Sequence, residues 1–427
     1  MRLNSGIFLV LLILATFLGL GDCFWPWPFV KKHKAITPPP PPPPPPEPKL
    51  SPVIFVPGDG GSQLDARLNK ANSPYFVCEK THDWYNLWLD LEQLVIPMVY
   101  CWIDNVKLYY DKTTRTTHNT PGVETRIPGW GDPEVVEWID PTRNSAGAYF
   151  KDIANVLVDM GYVRRVNIHG APYDFRKAPN ENKQFFIDLK QLVEDTYEAN
   201  NQSAVTFITH SMGSPMTLVF LQEQTFAWKN KYVRRQISLA GAWAGSIKAV
   251  KVFAMGDDLD SFALSAKILK AEQITHPSTA WLLPSPLFWK PSEVLAMTPS
   301  RNYTMAQLEE FFFDIDYMTG WEMRKDTMRY TQNFSPPDVE LHCLYGDGID
   351  TVERLQYKKS DISSETPKLI MGLGDGTVNQ RSLRACQYWS GYSSSHINTL
   401  ALQGVDHMKI LAHADVLKYV RTVLQQP

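Results

Sequence analysis

Three short stretches of the chain carry residues that could act together on an ester. In Thr209-His210-Ser211-Met212-Gly213, a serine stands where a β-type run, Ala204–Thr209, gives way to helical spacing at Met212, Met216, Val219 and Phe220. A strand that turns sharply into a helix holds its corner residue strained and exposed, and small neighbours are required because the two backbones nearly touch. Such a serine can also be an ordinary helix N-cap, so a base and an acid have to be found elsewhere. In Gly374-Asp375-Gly376-Thr377-Val378, an aspartate follows the short apolar run Pro367–Gly372, where a strand end could aim its carboxylate out of a sheet. In Val405-Asp406-His407-Met408, a histidine lies in a loop ahead of the amphipathic C-terminal helix expected over Asp415–Leu424. A serine hydroxyl becomes a useful nucleophile when a histidine takes its proton, and a carboxylate fixes that histidine's tautomer.

The chain order serine, aspartate, histidine is that of the α/β hydrolases, and other serine-hydrolase folds use other orders. That fold also needs an amide for the oxyanion after an early strand. Pro52–Pro57 reads as a buried strand and runs into Gly58-Asp59-Gly60-Gly61-Ser62. A phosphate-binding loop is set aside, because no Lys-Ser/Thr pair follows the glycines. The supporting elements alternate as an α/β core demands. A helix is expected over Tyr149–Gly161, a strand over Val163–Ile168 and a rigid loop over His169–Arg176. A helix over Asn182–Ala199 would feed the nucleophile strand, and Val233–Leu239 is the next strand. From about 243 to 283, and most of all after Ile247, no clean periodicity is found, which suits a lid over a cleft.

The 427 residues, 44% hydrophobic, suffice for one α/β domain with insertions, expected here over 51–427. A net charge of −3 does not argue for a nucleic-acid partner. Neither a metal-ligand spacing nor an internal repeat is found, so no metal and no cofactor is expected. Residues 1–23 read as a signal peptide, with Arg2 ahead of the apolar run Ile7–Leu20. Residues 24–50 read as a linker, stiffened by the unbroken run Pro38–Pro46. Sequons at Asn201, Asn302 and Asn333 agree with export, the third being followed by Pro336. Beyond Cys23, at the expected cleavage site, Cys78, Cys101, Cys343 and Cys386 form an even set with three possible pairings.

Between Cys78 and Cys101 the chain is apolar on more than one face. Trp84, Leu87, Trp88, Leu91 and Val95 recur at helical spacing, and Tyr85, Leu89, Leu94 and Ile96 fall off that stripe. Such a helix is either deeply buried or meets lipid.

Longer runs carry a resemblance. They include Val56-Pro57-Gly58-Asp59, Cys101-Trp102-Ile103-Asp104-Asn105, Gly170-Ala171-Pro172-Tyr173-Asp174 and Arg176-Lys177-Ala178-Pro179-Asn180-Glu181-Asn182. Others are His210-Ser211-Met212-Gly213, Thr279-Ala280-Trp281-Leu282-Leu283-Pro284, Leu341-His342-Cys343-Leu344-Tyr345-Gly346 and Gly374-Asp375-Gly376-Thr377-Val378-Asn379. With these, the chain from about Ser51 to Leu424 resembles the lecithin–cholesterol acyltransferase family, on the side of its lysosomal phospholipase A2 (group XV) members. The proline tract, Gly60 and Ala240-Gly241-Ala242-Trp243 depart from the family's pattern.

The resemblance implies an α/β-hydrolase core with a lid and a small membrane-binding subdomain. It implies Ser211 as nucleophile, Asp375 as acid and His407 as base, with the backbone amides of Asp59 and Met212 as oxyanion hole. It implies the pairs Cys78–Cys101 and Cys343–Cys386, and lipid contact through Trp84, Leu87, Trp88, Leu89 and Trp102. The activity expected is deacylation of phospholipid, with the acyl group passed to water or to a lipid alcohol. The expected partner is a phospholipid membrane surface, the expected state a monomer, and the expected place the lysosome or the outside of the cell. The competing expectations are a secreted phosphatidylcholine–sterol acyltransferase and an inactive hydrolase fold that binds lipid.

Overall fold

Four residues that cannot face water, Val53 to Val56, open the core: each is fully buried in the strand β1 (Val53–Val56). The computed structural model describes residues 50–143, 145–259, 265–391 and 396–426. The signal peptide and nearly all of the proline-rich linker therefore lie outside the described residues. β1 is joined by β2 (Ile168–Gly170), β3 (Val205–His210), β4 (Val233–Leu239), β5 (Glu340–Asp347) and β6 (Ile397–Gln403). Their order is β6-β5-β4-β3-β1-β2, and every neighbouring pair is parallel. Central strands of a parallel sheet are covered on both faces, which is why Val205–His210 is buried along its whole length. From β1 the chain moves to one side to form β2, then returns to the other side to form β3. The carboxyl ends of β1 and β3, with Val56 opposite Thr209, thus form the switch point where open α/β sheets build their sites.

Helices Lys151–Asp159, Lys183–Ala199, Gly213–Gln222 and Ala414–Leu424 stand close to the positions their periodicity predicts. The strand expected over Val163–Ile168 does not form there. Val163 and Val166 are about half exposed, Arg165 has φ 64°, and pairing with β1 begins only at Ile168. A turn replaces the strand: the amides of Val166 and Asn167 donate back to the Val163 carbonyl, and that of Arg165 donates to the Ile168 carbonyl. The segment from about 243 to 283 contains helices Ile247–Met255, Ala266–Gln273 and Pro277–Trp281. Ile247, Val250, Phe253 and Ala280 are fully buried, so much of this segment is core; residues 260–264 lie outside the described residues.

The helical spacing read between Trp84 and Val95 is corrected by the structure. Thr81–Trp88 is a strand, antiparallel to Leu64–Asn69, and a short 3-10 turn, Leu91–Leu94, follows it. A run apolar on every side carries no information about its period, and the strand Leu64–Asn69 supplies hydrogen-bond partners that favour the extended form. A second sheet combines Asn302–Thr304, Val294–Met297, Ile349–Gln356 and Lys368–Gly374. Disulfides join Cys78 to Cys101 and Cys343 to Cys386.

Candidate active site

Ser211 follows the last residue of β3 and has φ 52°, the left-handed conformation of a sharp strand-to-helix corner. Glycine at 213 is required by space: a Cβ there would lie 2.4 Å from the carbonyl oxygens of both Val56 and Pro57. Gly58 is constrained in the same way, since its Cβ would lie 2.7 Å from that of Ser211. Thr209, where the usual motif has glycine, is fully buried and exchanges a 2.8 Å hydrogen bond with the hydroxyl of Ser214.

Residues far apart in the chain meet at this corner. His407, in the loop after β6, places Nε2 2.9 Å from Ser211 Oγ and Nδ1 2.7 Å from Asp375 Oδ2. Asp375 is fully buried, and its Oδ1 accepts the amides of Thr377 and Val378. It comes from the end of Lys368–Gly374, a strand of the second sheet. The backbone of His407 is tied as well: its N–H donates to the Asp375 carbonyl at 2.9 Å. Met212 opens the helix Gly213–Gln222 with αR angles, so its amide belongs to the first turn, where helix amides lack intrahelical acceptors. Asp59 sits in the loop after β1, beside that turn. The Tyr173 hydroxyl donates to the Pro57 carbonyl at 2.9 Å and the Tyr173 amide to Ser62 Oγ at 3.1 Å, so the rigid loop expected over His169–Arg176 braces the glycine-rich loop after β1.

Ser211, His407 and Asp59 open into one cleft of about 490 Å³. One wall is apolar and aromatic, with Trp88, Leu89, Leu94, Trp102 and Phe175. The lining also carries Asp59, Lys248, Glu272 and His276, the His276 ring lying 6.4 Å from that of Phe175. Asp59 is exposed to the cleft, yet protein crowds it on the other sides, and that crowding rather than its surface contact governs its proton affinity. Burial pushes its pKa up to about 7, against the pull of Lys248 and the Gly60 amide. Burial, and then the charge of Asp59, also raise Glu272 well above its ordinary value. His276, 3.2 Å from Glu272, is pushed down to about 3 by burial and by Arg176. The sequence gives no local sign of Glu272 or His276, because only folding brings helix Ala266–Gln273 and the turn before Pro277–Trp281 to the cleft. No group of three or more His, Cys, Asp or Glu able to hold a metal occurs among the described residues.

The residues expected to touch lipid separate into two sets. Leu87, Leu89 and Trp102 are buried rather than presented to a bilayer, and Trp102 donates its indole N–H to the Leu87 carbonyl. The disposition of Trp88 is similar: it lines the cleft and donates to the Gly60 carbonyl at 2.7 Å. Trp84 is half-buried under the guanidinium groups of Arg126 and Arg67, at 4.3 and 5.2 Å. The exposed apolar side chains are others: Phe76, Val95 and Ile96, at 99, 57 and 71%. Asn201, Asn302 and Asn333 are all exposed.

A parallel sheet with a left-handed serine corner at its switch point, and with serine, aspartate and histidine in that chain order, defines an α/β hydrolase. A chain of the crystal structure of the Tle4-Tli4 complex superposes with a TM-score of 0.51 at 12% identity, covering 88% of this chain and 98% of that one. The family model described as lecithin:cholesterol acyltransferase matches residues 84–414, and this chain belongs to that family. It is 40% identical to "Lysosomal phospholipase A and acyltransferase" of Canis lupus familiaris, over 88% of this chain and 92% of the relative. The Homo sapiens protein of the same name is also 40% identical, over 88% and 91%. "Phosphatidylcholine-sterol acyltransferase" of Gallus gallus is 36% identical, over 84% and 87%.

Proposed function

We propose that this protein is a phospholipid deacylase and O-acyltransferase that works through a serine acyl-enzyme. Ser211 Oγ attacks the ester carbonyl of a glycerophospholipid while His407 Nε2 takes its proton. Asp375 holds the imidazole by Nδ1–H and steadies the imidazolium. The amides of Asp59 and Met212 receive the oxyanion, each contributing about 3 kcal/mol by analogy with other hydrolases. The imidazolium then protonates the leaving lysolipid alkoxide, leaving the acyl group on Ser211. Water or a lipid alcohol such as ceramide, deprotonated in turn by His407, takes the acyl group and frees the serine.

The observation that carries this reading is the hydrogen-bonded run Ser211–His407–Asp375 at the floor of a cleft with an apolar wall. The identity to the lysosomal relatives supports a lysosomal place and an acid optimum, with secretion as the other destination of an exported chain. The exposed Phe76, Val95 and Ile96 support docking on a phospholipid surface by a monomer. The segment from about 243 to 283, whose described residues Lys248, Glu272 and His276 line the cleft, is proposed as its lid. Identity is lower to the sterol acyltransferase, so that reading comes second; a lipid-binding protein without activity would have no use for an aligned triad. The test is mass spectrometry of products from mixed liposomes containing ceramide, at acid and neutral pH, with wild type and Ser211→Ala. Acyl-ceramide and free fatty acid from wild type alone support the proposal, and no acyl transfer or hydrolysis by wild type overturns it.

A further inference from the structure

Beside the triad the fold buries two polar side chains that the reaction just described leaves idle, Tyr149 and His210. They form one continuous chain. The Gly58 amide lies 2.9 Å from Tyr149 Oη, Tyr149 Oη 2.5 Å from His210 Nδ1, and His210 Nε2 2.9 Å from the His407 carbonyl oxygen. Its sense can be deduced. A carbonyl only accepts, so Nε2 of His210 carries the proton. Nδ1 of a neutral imidazole must then accept, and the tyrosine hydroxyl must donate to it. The hydroxyl oxygen is left to accept the Gly58 N–H. Burial, and then the neighbouring His407, hold the His210 pKa well below the usual histidine range, so the neutral ring this pattern needs is the one present.

The placement of this chain is unusual for a packing contact. Gly58 begins the oxyanion loop after β1, His210 is the residue before the nucleophile, and His407 is the base. The ring of Tyr149 occupies space that two glycines leave open: a Cβ on Gly61 would come within 2.7 Å of its Cζ, and one on Gly58 within 3.0 Å of its hydroxyl. His407 is consequently held at both of its backbone polar groups, by Asp375 at the N–H and by His210 at the carbonyl. The rings of His210 and His407 are 4.8 Å apart, so a positive charge on His210 would oppose the imidazolium that His407 becomes.

We propose that Tyr149 and His210 are positioning residues of the acyl-transfer reaction, a hydrogen-bonded clamp that holds the base loop and the oxyanion loop in register across Ser211. The proposal rests on the triad reading above. Its rival is that both side chains only fill space, in which case apolar replacements of similar shape would serve.

The experiment measures kcat and KM on a soluble short-chain p-nitrophenyl ester, with melting curves, for the whole chain as wild type, Tyr149→Phe, His210→Gln, His210→Leu and Ser211→Ala. A clamp lost by Tyr149→Phe should lower kcat by about 10-fold or more with KM changed less than about twofold, because small misplacements of reacting groups are expensive. His210→Gln, whose side-chain amide can still donate to the His407 carbonyl, should exceed His210→Leu in kcat by about 10-fold. A folded Tyr149→Phe with kcat within about twofold of wild type overturns the proposal, as does equal kcat for folded Gln and Leu variants. Should His210→Leu not fold, Tyr149→Phe decides alone. Activity in Ser211→Ala would instead defeat the triad reading on which the clamp depends; an inactive Ser211→Ala beside a wild-type-like Tyr149→Phe defeats the clamp and leaves the triad standing.

Discussion

Around Ser211 the protein buries polar side chains, and around the Cys78–Cys101 disulfide it exposes apolar ones. At the first place Asp375 is fully buried and His407 and His210 nearly so, each with hydrogen-bond partners on both sides. At the second, Phe76, Val95 and Ile96 stand in water, held against the fold by the disulfide and by the contact of Tyr75 with Tyr100. Each region departs from the burial rule in the direction that stability alone would not select. A buried polar group is tolerable when its partners fix it, and that fixity suits acyl transfer. An exposed apolar group is tolerable when it is small in extent, and a lipid surface would cover it. Leu87 lies between the two places and belongs to neither, whereas Leu89 and Trp102, also buried, line the cleft itself.

The sharpest way to break this contrast is Ser211→Ala. We expect it to fold and to lose phospholipid deacylation by about 10⁴-fold or more, read by fatty-acid release. Wild-type-like turnover would mean that the buried polar cluster is structural. Next come the buried leucines. Leu87→Ser combined with Leu89→Ser should destabilise the fold by about 3 kcal/mol or more, and should lower activity on liposomes and on a soluble ester alike. A selective loss on liposomes would place these leucines at the lipid surface after all. The outer patch behaves in the opposite manner. Phe76→Ser with Ile96→Ser should weaken vesicle binding by about 10-fold to 100-fold for each side chain, since burying one is worth about 1.5–3 kcal/mol. Hydrolysis of the soluble ester should not change, and co-sedimentation against kinetics separates the two.

The smallest effect concerns pH. Asp59 binds its proton with a pKa of about 7. Below that value the carboxyl is neutral and can donate a hydrogen bond beside the oxyanion. As pH rises through about 7 it ionises and repels the developing charge, so activity should fall there. Asp59→Asn cannot ionise, and its neutral limb should move up by about one pH unit, while the acid limb, where the base must be unprotonated, stays. An unchanged pH–rate profile in an active variant would assign the acid preference to another group, with Glu272 the next to substitute.

How much of this was legible beforehand depends on the range of the interactions. Ser211, Asp375 and His407 could be picked out because each lies in a local pattern: a glycine-bounded corner, a strand end and a loop before a helix. The Asp59 loop was visible for the same reason, as were β1, β3, β4 and the long helices. The stretch from Trp84 to Val95 misled because a run without a polar side has no period to read. Its extended form comes from the strand Leu64–Asn69 and its inward face from the cleft. Glu272, His276 and Tyr149 gave no local sign at all.

By itself the chain determined the chemistry available and its order, since Ser211, Asp375 and His407 each stand in a pattern made by neighbours a few residues away. Only the tertiary structure decided what those groups meet. It placed Asp375 at the site from a second sheet rather than from the first. It turned Leu87 and Leu89 inward while leaving Phe76 and Ile96 outside. It linked Gly58, Tyr149, His210 and His407, residues separated by up to 349 positions (58 to 407), through three hydrogen bonds. The reason is physical: a dihedral preference is a property of a residue and its neighbours, whereas desolvation and hydrogen-bond partnership are properties of whatever the fold packs alongside.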